Sequence, residues 1–323
     1  MGYDAARPYF RREPLMTSVS AIPVTIVSGY LGAGKTTLVN NALRKANGLK
    51  LAILVNEFGN LAIDEDLIIA QDDNMISLAG GCICCSYGND MLLSLKELAD
   101  LDTKPDHIIL EASGVAIPSA IESSISLITE CFTESIISIV DCEQIQAQLN
   151  DKYIADTVLS QIESADLILA NKADLIESES LFNGWKEKHD VLSKAILVTH
   201  SDIDLDIFLG IKRQDWFSRT STKKLDKEHT NKFWSKVFRP HALIDPSKFS
   251  HALTQKNLFL VRAKGYVLGP DKKVYEVQSV GHRSYFEQVG PEKKPGLVLI
   301  GTKEHMNFDF LGQSLKEFGV FYN

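Results

Sequence analysis

The stretch VTIVS at residues 24–28 runs directly into GYLGAGKTT at residues 29–37, and nothing else in the chain restricts the fold as tightly. The pattern is G-x-x-x-x-G-K-[ST], flanked by an apolar strand before it and a helical pattern over residues 38–46 after it. Glycines at this spacing let successive backbone N–H groups converge on phosphate oxygens, and the helix start adds the positive end of its dipole. Gly29, Gly32, Ala33, Gly34, Lys35, Thr36 and Thr37 therefore form the expected phosphate cradle. Lys35 is expected to reach the β and γ phosphates and the Thr36 hydroxyl to ligate Mg²⁺. The bland alternative, a glycine-rich turn that merely joins strand to helix, does not require the lysine and threonine. A loop of this kind works at the carboxyl end of a covered strand, and the rest of residues 22–210 agrees with that demand. Further strands are predicted at residues 51–56, 108–111, 136–141, 167–171 and 195–199, apolar throughout rather than alternating. Such strands are covered on both faces, so the predicted class is α/β: a P-loop NTPase fold with a largely parallel sheet flanked by helices.

Two more strand ends carry chemistry. Residues 167–174, LILANKAD, place N-K-x-D at a strand terminus. The Asp174 carboxylate accepts two hydrogen bonds, matching the N1–H and N2–H₂ donors of guanine and repelling the N1 acceptor of adenine. Guanine is the predicted base, with the aliphatic stem of Lys172 over the purine and Asn171 tying this loop to the phosphate loop. The pattern also arises in ordinary solvated loops, and its position downstream of a phosphate loop is what favours the nucleotide. Residues 108–114, IILEASG, end a strand in Glu111, which is placed to hold Mg²⁺ through water, while Gly114 lets its N–H approach a γ-phosphate. Asp141 also ends a strand, with capping or packing as equal readings.

The stretch GGCICCSYGND, residues 80–90, holds Cys82, Cys84 and Cys85, three of the chain's five cysteines. No apolar run reaches bilayer length, and the first residues lack the apolar region of a secretory signal, so a cytoplasmic protein with reduced thiols is expected. Cys82 and Cys84 would point the same way on an extended segment, with Cys85 opposite unless the chain kinks. Two or three thiolates suit a soft ion such as Zn²⁺, with Co²⁺, Ni²⁺ and Fe²⁺ open as alternatives, but a complete site wants about four ligands. Glu57, in NEFG at residues 56–59, is the first candidate for another ligand, with His200 and His229 behind it. Core packing and a redox role are the competing readings of the cluster.

The 323 residues, 45% hydrophobic, suffice for a large domain and a smaller one. Residues 1–21 read as a leader outside the fold, with Met16 an equally good start. Residues 22–215 form the expected nucleotide-binding domain, and residues 216–231 a polar linker. Residues 232–323 form a small α+β domain with strands at 257–268, 274–280 and 297–301 and helices at 247–253 and 310–318. A net charge of −8 without any concentrated Lys/Arg block favours neither nucleic acid nor an anionic membrane as partner.

Taken together, residues 29–37, Asn56-Glu57-Phe58-Gly59, Cys82-Ile83-Cys84-Cys85, Glu111-Ala112-Ser113-Gly114 and Asn171-Lys172-Ala173-Asp174 resemble the CobW/UreG/HypB group of P-loop GTPases, most of all its CobW-like branch. VRAKGY at 261–266 and LVLIG at 297–301 resemble that branch's C-terminal module, and THSDID at 199–204, with His200, resembles its segment near the guanine. The resemblance implies a GTP- and GDP-binding metallochaperone or insertase, with C-x-C-C in the switch region and metal affinity coupled to the nucleotide. Its partners would be a transition-metal ion and a client metalloprotein, with a metal-dependent homodimer if cysteines of two chains share an ion. Two departures stand out: the linker holds only His229 where many relatives have a His-rich loop, and Asn60 follows NEFG where some carry an acid. No water-orienting glutamine or cis arginine is evident, so slow intrinsic hydrolysis is expected, with Lys35, Thr36, Glu111 and Glu57 as the catalytic set. A switch or assembly factor with structural cysteines, and a phosphotransferase, are the alternatives.

Overall fold

The computed structural model describes residues 21–46, 48–55, 75–76, 89–175, 195–210, 233–281, 283–303 and 307–321. They fall into two compact units that divide between Leu209 and Gly210. Residues 1–20, Asn56, Glu57, Phe58, Gly59, Asn60, the three clustered cysteines and the expected linker with His229 lie outside the described residues.

The strands described in the first unit are β1 (Ile22–Ser28), β2 (Leu51–Val55), β3 (Met75–Ile76), β4 (His107–Glu111), β5 (Cys131–Asp141), β6 (Leu167–Asn171) and β7 (Ile196–Leu197). They form one sheet in the order β3-β2-β4-β1-β5-β6-β7, parallel at every pairing. The described helices are α1 (Lys35–Arg44), α2 (Asn89–Asp100), α3 (Pro118–Ile125), α4 (Ile145–Asn150), α5 (Ala155–Glu163) and α6 (Leu205–Leu209). Val24, Ile26, Ile108, Leu110, Ile136 and Val140 share one core with Met91, Leu95 and Leu98 of α2 and Val158 and Ile162 of α5. Alternate residues Val27, Ile109, Ile137 and Ile139 are equally buried. Burial of both parities is what the unbroken apolar strands require, because each face of a parallel sheet is covered by its crossover helices. In α2 the buried positions Met91, Leu95, Leu98 and Ala99 recur at helical spacing, so the helix is held by one apolar stripe.

Helix α1 begins at Lys35, three residues before its apolar pattern starts at Leu38. Its first turn belongs to the phosphate loop and is polar for that reason. At the amino end of β4, His107 is buried, with Nε2 2.8 Å from Thr25 Oγ1 and Nδ1 3.6 Å from Glu134 Oε2. Glu134 sits where the β1/β5 register slips, and the bulge turns its side chain toward the histidine.

The second unit is built on an antiparallel sheet. Its described strands are β8 (Phe233–Pro240), β9 (Leu260–Leu268), β10 (Val274–Val280), β11 (Arg283–Val289), β12 (Gly296–Thr302) and β13 (Val320–Phe321), in the order β11-β10-β9-β12-β8-β13. Helices α7 (Pro246–Ala252) and α8 (Phe308–Lys316) contribute Phe249, Leu311 and Leu315 to a core with Trp234, Phe238, Val267, Leu297 and Leu299. Asp245 caps α7 by accepting from the N–H groups of Ser247 and Lys248, and Asn307 caps α8 by accepting from Phe310 N–H. Strands β8 and β11 have no counterpart in the sequence reading. FWSKVFRP exposes Ser235, Val237 and Arg239 and buries only Trp234 and Phe238, and no residue of β11 is fully buried. The expected strand at 257–268 begins later, at Leu260, after a 3₁₀ turn at Lys256–Leu258.

Candidate functional site

Four strands deliver their carboxyl ends to one rim: β1 at Ser28, β4 at Glu111, β5 at Asp141 and β6 at Asn171. Val27 lies opposite Glu111 in the register, and Asp141 opposite Asn171. Strand β1 sits between β4 and β5, so the chain leaves it toward one side of the sheet and later crosses to the other. The crevice at such a point is where open parallel sheets bind ligands.

The loop leaving β1 takes left-handed φ at Gly29 (139°), Gly32 (74°) and Gly34 (109°), then enters α1 at Lys35. The Lys35 ammonium donates to Gly29 O at 3.0 Å and Tyr30 O at 3.3 Å, which holds the cation over the loop. Beside it, Thr36 Oγ1 donates to Glu111 Oε1 at 2.8 Å, joining the first turn of α1 to the end of β4. A hydroxyl and a carboxylate in contact at the loop are hard oxygen donors, the set that suits Mg²⁺ rather than a thiophilic ion.

The base-side loop is joined to this cradle through one buried amide. Asn171 Nδ2 donates to Ala33 O and to Ser201 Oγ, both at 2.9 Å, and Asn171 Oδ1 accepts from Ser201 N–H at 2.8 Å. Ser201 Oγ in turn donates to Gly34 O at 3.0 Å. From the other side, Asn41 Nδ2 of α1 donates to His200 O at 2.9 Å, and Lys45 pairs with Asp202 and donates to Ile203 O at 2.8 Å. Phosphate loop, α1 and residues 200–203 thus form one hydrogen-bonded body. Lys172, with φ 59°, is held by Asp141, whose Oδ2 lies 2.6 Å from its Nζ. Asp141 is buried and also accepts from Glu143 N–H at 2.9 Å, so it both caps a turn and anchors the lysine. Asp174 is exposed at the end of this turn, and the side chain of His200 is exposed as well.

The structure brings together Gly29, Gly32, Ala33, Gly34, Lys35, Thr36, Glu111, Asn171 and Lys172. Glu57, Cys82, Cys84 and Cys85 fall outside the described residues, and among the described ones no group of three His, Cys, Asp or Glu is placed to hold a metal. Sequence motifs assign no role to Ser201 or Gln161. Ser201 lies in the quoted THSDID beside the more conspicuous His200, and Gln161 belongs to no motif. No described helix is long and apolar enough to cross a membrane.

The other two cysteines, Cys131 and Cys142, are buried and form no disulfide. Burial, aided by the nearby Glu130 carboxylate, pushes the Cys131 thiol up to about 11. Its thiolate fraction at pH 8 is then roughly one part in a thousand. Because the folded value lies above that of an exposed thiol, this burial contributes fully below the ordinary thiol range and is lost as pH rises toward 11. In the folded protein at pH 8, a disulfide reagent followed by peptide mapping is expected to leave Cys131 and Cys142 unlabelled until denaturant is added. Rapid native labelling of either would show that the buried thiols compete with the cluster.

The family profile described as CobW/HypB/UreG, nucleotide-binding domain, matches residues 23–199, more than half of the chain, and that of the cobalamin synthesis protein CobW C-terminal domain matches residues 233–318. The chain is 28% identical over 336 residues to the zinc chaperone CobW of Sinorhizobium sp, covering 88% of this chain and 93% of that one. It is 32% identical over 200 residues to the zinc chaperone YjiA of Escherichia coli K12, covering 59% and 62%. A crystal structure of a zinc-bound triple mutant of the YjiA GTPase aligns over 93% of this chain and 99% of its own, at 23% identity and TM-score 0.43. With a P-loop cradle at the sheet's switch point and both profiles matched in order, the chain belongs to the CobW/HypB/UreG family of nucleotide-binding proteins and carries the CobW C-terminal domain.

Proposed function

We propose that this protein is a GTP-binding, slowly GTP-hydrolysing metal chaperone or insertase, in which the C-x-C-C segment binds a transition metal, zinc foremost, with an affinity set by the nucleotide. The observation that carries the nucleotide half is the Asn171 junction, which makes the N-K-x-D loop and the phosphate loop one unit through Ala33 O, Gly34 O and Ser201. A ligand with a base at one end and phosphates at the other is what such a unit fits. The metal half is supported by the three clustered cysteines and by relatives named as zinc chaperones.

In this mechanism Lys35 and the N–H groups of the phosphate loop hold the phosphates, with Gly114 close to the transferred group. Thr36 and Glu111 would hold Mg²⁺, which when bound neutralises charge on the β and γ oxygens. Asp174 reads the guanine edge, and Asp141 keeps Lys172 in place beside it. Glu57 completes the set as a metal ligand or as the group that orients water. A segment ordered by the γ-phosphate brings separated metal ligands together, and hydrolysis releases that constraint. The cargo ion then passes to a client metalloprotein.

Competition titration with a chromogenic zinc chelator, in GTPγS and then in GDP, tests the coupling. Zinc is expected to bind about tenfold more tightly in one nucleotide state, which corresponds to ~1.4 kcal/mol and lies within ordinary allosteric coupling. Cys84→Ala is expected to remove both the tight binding and its nucleotide dependence. Equal affinity in both states would point instead to a structural ion in a GTPase switch or assembly factor.

A further inference from the structure

The loop that follows Glu111 is gripped from a helix distant in sequence. Ala112 N–H donates to Val27 O at 2.8 Å, which pins the start of the loop to the strand that feeds the phosphate loop. Ala116 N–H donates to Ser113 O at 3.0 Å and closes a turn around Gly114. Gly114 is packed against the phosphate loop so closely that a Cβ there would lie 2.4 Å from Leu31 Cδ2 and 3.0 Å from Leu31 N. On the far side of this turn stands Gln161 of α5, 1% exposed. Its Nε2 donates to Gly114 O at 3.1 Å and to Ala116 O at 3.0 Å, spanning 47 and 45 residues of sequence. Its Oε1 is buried and has no hydrogen-bond partner among the described residues.

Folding alone does not ask for an amide at this position. Its helix neighbours Val158 and Ile162 face the core, and an apolar side chain would extend that stripe without burying a polar group. The amide commits both donor contacts to one loop and leaves its acceptor unused, so the loop rather than the helix explains its presence. We infer that Gln161 is a positioning residue for γ-phosphate recognition, fixing the Gly114 and Ala116 carbonyls so that the turn meets the phosphate loop in the arrangement that distinguishes a triphosphate from a diphosphate. The inference rests on the nucleotide reading above and adds to it a residue that touches no nucleotide itself.

The test compares GTPγS and GDP affinities, by calorimetric titration with Mg²⁺, for the full chain, Gln161→Met and Gln161→Glu. Methionine keeps the length and volume and donates nothing. A neutral glutamic acid has one proton to share between two carbonyls. Both variants are expected to lose about tenfold in GTPγS affinity while GDP affinity stays within about threefold, since only the triphosphate uses this turn. A purely structural role would lower the melting temperature and leave the GTPγS-to-GDP ratio unchanged. An unchanged ratio in whichever variant folds overturns the inference while leaving the nucleotide reading intact. Failure of the unaltered chain to bind either nucleotide overturns that reading, and the inference with it.

Discussion

Replacing Asn171 by alanine is expected to lower guanine-nucleotide affinity by roughly two to three orders of magnitude, on the reading that this rim binds GTP. The side chain is 3% exposed and makes three hydrogen bonds, to Ala33 O, Ser201 Oγ and Ser201 N–H. Its removal leaves a buried carbonyl and a buried N–H without their partner, each costing about 1–3 kcal/mol. Two such groups amount to roughly 2–6 kcal/mol, a range that contains two to three orders of magnitude at about 1.4 kcal/mol each. The cost reaches binding because the unliganded loops can move apart to solvate these groups, and the nucleotide must then bring them back together. Asn171→Asp is no remedy, because it sets a carboxylate oxygen against Ala33 O where a donor stood at 2.9 Å. Titration calorimetry with GDP, alongside thermal unfolding without ligand, separates the two effects. An affinity within fivefold of the unaltered protein would show that Ser201 and Asn41 hold the loops together without Asn171.

Gly29→Ala is expected to abolish measurable nucleotide binding and also to lower stability. The new Cβ would lie 2.2 Å from Ile139 O, and the residue would have to keep a φ of 139°. The obstructing atom is backbone of a central strand, with β1 on one side and β6 on the other, so it has no room to yield. Strain at such a φ costs about 1–3 kcal/mol and overpacking about the same again. A total of roughly 2–6 kcal/mol in a domain of this size corresponds to a fall in melting temperature of about 4–24 °C. Gly32→Ala is the control, because nothing lies within 4 Å of its added Cβ, although its φ of 74° carries the backbone cost. Equal behaviour of the two variants would show that backbone strain, rather than the approach of β5, sets the requirement at Gly29.

Much of the first unit was legible because its strands are buried on both faces. Burial of that kind needs continuous apolar runs, and the five predicted after β1 correspond to β2, β4, β5, β6 and β7, with the bounds of β6 as predicted and those of the others shifted. Strand β5 starts earlier than its predicted run because Thr133, Glu134 and Ser135 look too polar for a strand until the bulge is seen. Strands β8 and β11 of the second unit escaped for the opposite reason, since a strand with one open face or an edge position tolerates charge. At the rim, motif spacing identified Lys35, Thr36, Glu111 and Asn171. It did not identify Ser201 or Gln161, whose work is done on backbone groups 167 and 47 residues away. Nor did it reveal that Asp141 holds Lys172, because an acid that ends a strand looks alike in every such role.

What the sequence determined by itself is local: glycines where the loop after β1 bends through left-handed φ, apolar runs where strands lie between layers, and an asparagine and a glutamate at two strand ends. Propensity and sterics act over a few neighbouring residues, so these features can be read without knowing the fold. What only the tertiary structure decided is which of these ends meet. Thr36 reaches Glu111, and Asn171 reaches Ala33 and Ser201, because strand order and parallel register bring four carboxyl ends to one rim. That register is fixed by packing summed over both faces of the sheet, a quantity no short stretch of residues contains.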